Sequence, residues 1–225
     1  MGTILVVRHG ETQLNHDNKV RGWADVPLNH RGINEALATA KQLENWSIAQ
    51  IISSDLIRTK QTAQIISKLN FVPIFYSPFL RSWNTGHEMV GMDLDKAVPI
   101  MQYYVAHRDE APKGGETFND FLRRVTVIWD HIKLRAMDSP GKAIVVVTSS
   151  RDIDAFRYFV THDAKYLDKD SAVIPGHVAQ FNITAGKVKE VPFDPTGKET
   201  QDGSSASSSE SKSDDGGIAD SGQGS

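Results

Sequence analysis

The stretch from Ile4 to Thr12, ILVVRHGET, constrains the fold more than any other part of the chain. Ile4, Leu5, Val6 and Val7 run without polar alternation, as a strand must when helices cover both faces of a parallel sheet. The run stops at Arg8, His9 and Gly10, and polar, helix-starting residues take over. Such a strand hands its next residues to the carboxyl edge of the sheet, where ligands gather in open α/β folds.

Those residues suit a phosphate group. Arg8 carries a planar, permanently charged fork that matches two phosphate oxygens, Gly10 lets backbone approach closely, and a helix starting near Glu11 would aim free N–H groups at an anion. Neutral imidazole at His9 is a competent nucleophile toward phosphorus once a hydrogen bond to a carbonyl fixes its tautomer. A phosphohistidine intermediate is chemically reasonable there.

Strand and helix patterns alternate along the rest of the chain. Asn29 is placed to cap a helix through Ala36, Ala40 and Leu43, and Ile48–Ser53 reads as a short strand. Asp55 is placed to cap a helix through Leu69, with Arg58 in its first turn near the positive end of the helix dipole. Residues 71–76 and Ala143–Thr148 read as strands. Between them Phe118, Phe121, Val125, Trp129 and Ile132 recur at the spacing of a core-facing helix. Residues 178–183 and Lys187–Val191 read as a closing hairpin. The alternation predicts an α/β three-layer sandwich, a largely parallel central sheet flanked by helices. Residues 78–115, interrupted by Pro78, Pro99 and Pro112, break that rhythm as an insertion. Residues 1–193 read as one domain, and residues 194–225, rich in Gly, Ser and Asp, as a disordered tail.

Composition narrows the partners. A net charge of -3 gives no global basic field to recruit nucleic acid. The absence of cysteine removes disulfides, thiolate catalysis and Cys-based zinc sites. No apolar run reaches the ~18–20 residues of a membrane span, and the start has neither a basic segment nor a signal core, so the chain reads as cytoplasmic. Nothing in the sequence specifies an oligomeric state.

Further residues fall into ordered signatures. Asn15, Arg21, Gly22, Asp25, Pro27, Leu28 and Gly32 follow the first motif; Ser53, Ser54, Asp55, Leu56, Arg58, Thr59, Gln61, Thr62 and Ala63 form a second; Gly115 and Glu116 open a later helix. In these residues, and over about residues 3–191, the chain resembles the histidine phosphatase superfamily, the phosphoglycerate mutase-like family. The resemblance implies the α/β sandwich and a phosphorylated small-molecule substrate. It implies His9 as nucleophile with Arg8 and Arg58 as catalytic phosphate clamps, and Asn15, Gly10, Thr12, Arg21, Gly22 and Ser149 as phosphate- or substrate-binding positions. No cofactor or metal is expected, because the arginines neutralise the phosphate. The insertion would be a lid over the pocket, with Trp83, His87, Tyr103, Tyr104 and His107 as candidates to line it.

Two positions depart from the family pattern. Ser149 stands where the family places a second histidine, and Ser82 where it places a glutamate acid. A hydroxyl brings no positive charge to a developing oxyanion, and loss of one such donor typically costs ~10²–10³ in rate. Loss of a general acid costs ~10²–10⁴. Glu88 and Glu116 are candidate substitute acids, and His177 and Arg151 candidates to compensate for the missing histidine. Two functions fit these residues: a weak or selective phosphatase working through His9, and a phosphate-binding pseudoenzyme. The complete Arg8–Thr12 segment with Arg58 favours the enzyme. A mutase fits less well, since returning the phosphoryl group to another hydroxyl demands an intact acid/base site.

Overall fold

A computed structural model describes residues 1–168 and 173–197. Its strands are β1 (Gly2–Arg8), β2 (Ile48–Ser53), β3 (Ile74–Tyr76), β4 (Ala143–Thr148), β5 (Val178–Thr184) and β6 (Lys187–Val191). The helices are α1 (Gln13–His16), α2 (His30–Gln42), α3 (Ile57–Asn70), α4 (Leu94–Ala106), α5 (Phe118–Met137), α6 (Ser150–Thr161) and α7 (Lys165–Asp168). The six strands form one sheet in the order β3-β2-β4-β1-β5-β6. β3, β2, β4 and β1 pair in parallel, and the closing hairpin β5-β6 adds on antiparallel.

The apolar run of β1 is explained by this placement. Ile4 and Val6, with Ile144 and Val146 of β4, join a core with Phe121, Val125, Trp129 and Phe156 of α5 and α6. Leu5 and Val7, with Val145 and Val147, join the opposite core with Ala40 of α2, Leu43 that ends it, and Ala63 and Ile66 of α3. Alternate side chains over Ile4–Val7 and Ile144–Val147 thus serve two apolar layers, which leaves no position for a polar residue within those runs. The result is the predicted three-layer α/β sandwich.

Local details differ from the sequence reading in three places. Asp55 does not cap α3: the N-cap is Leu56 without a side-chain bond, Asp25 accepts from the Ile57 amide at 2.6 Å, and both oxygens of Asp55 instead accept from Nε and Nη2 of Arg81. A cap supplied from across the fold leaves no local signature. β3 begins at Ile74 rather than at residue 71, because Phe71 terminates α3 in the left-handed conformation at φ 53. α4 continues through Pro99; burial of Ala97 and Val105 on either side of it offsets the hydrogen bond the proline removes.

Packing contacts extend past residue 193. Phe193 stacks on Trp46, and the Trp46 indole donates to the Asp194 carbonyl at 3.0 Å. The rest of the expected tail, residues 198–225, lies outside the described residues. Among the described residues no helix is long and apolar enough to cross a membrane.

Candidate active site

Strand register builds the site. Arg8 pairs with Thr148 across β1 and β4, and the His9 amide donates to the Thr148 carbonyl at 3.0 Å. His9 and Ser149 are therefore neighbours just past the sheet edge. On the other side of β4, Ser53 pairs with Val147, so the turn into α3 opens at the same edge and carries Arg58 there. A cavity of about 320 Å³ opens at this edge, with Arg8, Asn15, Arg21, Gly22, Arg58 and Ser149 in its wall.

His9 is fully excluded from solvent. Its Nδ1 lies 2.7 Å from the Gly10 carbonyl. A carbonyl only accepts, so Nδ1 carries the proton and Nε2 keeps its lone pair. Nε2 has no hydrogen-bond partner. Burial, and then the charges of Arg58, Arg8 and Arg21, hold the ring well below the ordinary imidazole pKa. The imidazole is neutral at physiological pH, with its nucleophilic nitrogen uncommitted.

Around it stand guanidinium groups crowded together. Arg58 donates to the Ala24 and Gly22 carbonyls at 2.8 and 2.9 Å, and Arg8 donates to the Val173 carbonyl. These bonds aim the two forks, yet Nε of each has no partner. Burial lowers Arg8 to about 10 against the pull of Glu35 and Asp154. Burial likewise lowers Arg58 to about 10, opposed by Asp25 and Asp152. Burial, Arg8 and Arg58 together lower Arg21 to about 9. Cations so placed repel one another until an anion joins them, and a tetrahedral oxyanion matches such a donor set.

The comparison with known proteins agrees with this chemistry. The profile of the histidine phosphatase superfamily (branch 1) matches residues 4–169. The chain belongs to this superfamily. It is 42% identical over 132 residues to the probable phosphoglycerate mutase GpmB of Yersinia pestis (strain Pestoides F), covering 56% of this chain and 61% of that relative. To the Escherichia fergusonii protein of the same name it is 41% identical over 83 residues, 37% of this chain and 39% of the relative. The chain thus spans less than two thirds of these curated relatives. Bacillus stearothermophilus YhfR superposes with a TM-score of 0.72 at 25% identity, over 83% of this chain and 94% of that one. The mycobacterial glucosyl-3-phosphoglycerate phosphatase gives a TM-score of 0.72 at 20% identity, over 85% and 97% of the two chains, a likeness of fold.

Within this histidine phosphatase superfamily member, two predicted binding positions stand outside the cavity wall. The Gly10 amide donates to Thr62 Oγ1 at 3.2 Å, and a Cβ at Gly10 would lie 2.2 Å from the Gly32 carbonyl oxygen. The glycine is required by the close backbone approach of α2. Thr12, fully buried, is the N-cap of α1 in a reciprocal capping box with Asn15. The helix expected near Glu11 therefore starts two residues later and is a single turn.

The candidate substitute acids and the substitute histidine are also displaced. Glu88 is exposed and paired with Lys113 at 2.7 Å. Glu116 is held by Arg124 at 2.6 Å and accepts from the Asn84 amide at 2.9 Å, a clamp on the loop before α4. His177 contributes its carbonyl to the Arg8 amide, but it lines a separate groove with Arg157 and Glu190. None of the three lines the cavity. Of the lid candidates only Trp83 does, buried edge-on against Phe118; Tyr103 stacks on His107 elsewhere. Both substituted serines, Ser82 and Ser149, stand in the wall. Ser149 is the N-cap of α6 but makes no side-chain capping bond, so its hydroxyl is not consumed by the helix.

Sequence reasoning missed Asp152, a fully buried carboxyl that burial raises to about 7 against the pull of Arg124. It also missed Glu35, whose carboxylate accepts from the Glu11 amide at 2.8 Å and so ties α2 to the loop after His9. Neither residue belongs to a local motif, and no spacing signals them.

Proposed function

We propose that this protein is a phosphatase acting on small phosphomonoesters through a phosphohistidine at His9. The observation that carries the proposal is the state of His9: neutral, tied at Nδ1 to Gly10, and unpartnered at Nε2 among Arg8, Arg21 and Arg58. Nε2 attacks phosphorus, the ester P–O bond breaks, and the leaving alkoxide takes a proton from solvent water. Water then attacks phosphorus, the P–N bond breaks, the attacking water returns a proton to solvent, and inorganic phosphate and neutral imidazole are released. Arg8, Arg58 and Asn15 hold the phosphoryl oxygens during both steps. The ligand in this reading is a phosphorylated small molecule, with no role for nucleic acid, membrane or cofactor.

A second reading is favoured by Ser82 and Ser149, which both line the cavity and carry hydroxyls in place of the family's charged groups. In it the pocket binds phosphate without turnover. Intact-mass and acid-labile phosphate analysis after rapid mixing with a panel of phosphomonoesters separates the two, with His9→Ala as control. A labile adduct and phosphate release that both require His9 are expected. Saturable binding with neither adduct nor release supports the pseudoenzyme.

A further inference from the structure

We propose that Arg21, on the loop that follows α1, supplies the positive charge that Ser149 lacks, and that it acts directly on the phosphoryl oxygens in the transition state. The proposal rests on the His9 phosphatase reading.

The cavity wall places Arg21 and Ser149 in one compartment with Arg8 and Arg58. Its charge acts on His9, and the charges of Arg8 and Arg58 act on it. What separates Arg21 from its neighbours is commitment. Arg8 spends a donor on the Val173 carbonyl, and Arg58 spends two on Ala24 and Gly22. Arg21 makes no side-chain hydrogen bond or ion pair among the described residues. Arg8 and Arg58 have carboxylates near them, Glu35 and Asp154 for one, Asp25 and Asp152 for the other. Among the described residues no carboxylate offsets the charge of Arg21.

The backbone explains how the loop holds this residue there. The Arg21 carbonyl accepts from the Ala24 amide at 2.9 Å, closing a turn through Gly22 at φ 49, and a Cβ on Gly22 would lie 2.9 Å from Thr85 Oγ1. The Gly22 carbonyl in turn receives Arg58. One tight turn thus fixes Arg21 and orients Arg58. Arg151, also in the wall, has its Nη1 bound to the Leu167 carbonyl at 3.1 Å, which ties it to α7. His177 faces the other groove.

A phosphoryl group spreads its charge over three equatorial oxygens in the transition state, and fixed cations there act without reorganisation. A guanidinium is charged at neutral pH without first acquiring a proton, as a second histidine must. An uncommitted fork also gains more from an arriving oxyanion than one already bonded to carbonyls.

The test compares wild type, Arg21→Gln, Arg21→Lys, and Arg21→Gln combined with Ser149→His, with p-nitrophenyl phosphate as substrate and orthophosphate and orthovanadate as ligands. Arg21→Gln should lower kcat by ~10²–10³, with a much smaller change in KM. It should weaken orthovanadate, which reaches five-coordination, more than orthophosphate. Arg21→Lys should retain more turnover than Arg21→Gln, and Ser149→His should restore turnover at least tenfold in the Arg21→Gln background. A raised KM with unchanged kcat, or equal weakening of the two anions, overturns the proposal. Failure of the His9 reading is seen separately, as absence of adduct and release in wild type. The vanadate-to-phosphate ratio still decides the role of Arg21 in that case.

Discussion

Replacing a helical glycine by alanine ordinarily stabilises a protein, and Gly32→Ala should do the reverse here. Gly32 lies in the first turn of α2, its amide bound to Asn29 Oδ1 at 2.8 Å. The substitution gains at most ~1 kcal/mol in helix propensity. Against this, an added Cβ would stand 2.1 Å from the Glu11 carbonyl oxygen and 2.6 Å from its nitrogen. Both are backbone atoms, which cannot rotate away. Reaching an ordinary contact requires the helix and the loop to part by about an ångström, an overpacking that costs roughly 1–3 kcal/mol. The same seam is held by the Glu11 amide on Glu35 at 2.8 Å and the Asn29 amide on the Glu11 carbonyl at 3.0 Å. Each such bond contributes ~1 kcal/mol. The balance is a loss of about 2–4 kcal/mol, read as a lower urea midpoint at unchanged m-value. Because Gly10 fixes the His9 ring, a shift of this loop should also lower turnover, by ~10² for an ångström of misplacement. A variant as stable as wild type with unchanged turnover would refute the packing argument.

Two more predictions concern carboxyl groups. Glu116 shares a largely buried pair with Arg124, which also donates to the Phe79 and Arg81 carbonyls at 2.8 and 2.7 Å. Glu116→Ala should therefore destabilise by ~2–4 kcal/mol through the partner left behind, whereas Glu116→Gln should leave the shape of the pH–rate profile intact. Loss of the basic limb in Glu116→Gln would instead make it the proton donor. Asp152 is raised from 3.8 to about 7 by burial, so between those values the folded state holds a proton that the unfolded state has released. Stability should fall as pH rises through that window and level off above about 7, a difference of at most ~4 kcal/mol. Asp152→Asn should remove this slope in urea titrations run from pH 4 to pH 8. A variant that keeps the wild-type slope would place the titrating group elsewhere.

Much of the fold was legible locally. The unbroken apolar run of Ile4–Val7 required a central strand, Asn29 marked the start of α2 through its own side chain, and the bounds of β2, β4 and β6 followed from β-branched runs. The site residues Arg8, Arg58, Asn15, Arg21, Gly22 and Ser149 were picked out by ordered motifs, and the structure gathers all six in one cavity wall. Misplaced readings share one cause. Asp55, Glu116 and His177 were judged by sequence neighbours, whereas their partners are Arg81, Arg124 and the groove beside Glu190.

The sequence by itself determined the layer order, the strand that delivers His9 and the family to which the chain belongs, because periodicity and short motifs act over a few residues. Only the tertiary structure decided which groups share a compartment. The register of β1 on β4 set His9 beside Ser149. Burial made the imidazole neutral and crowded three arginines around it. Desolvation and long-range charge depend on what the whole fold excludes from water, and no stretch of chain specifies that alone.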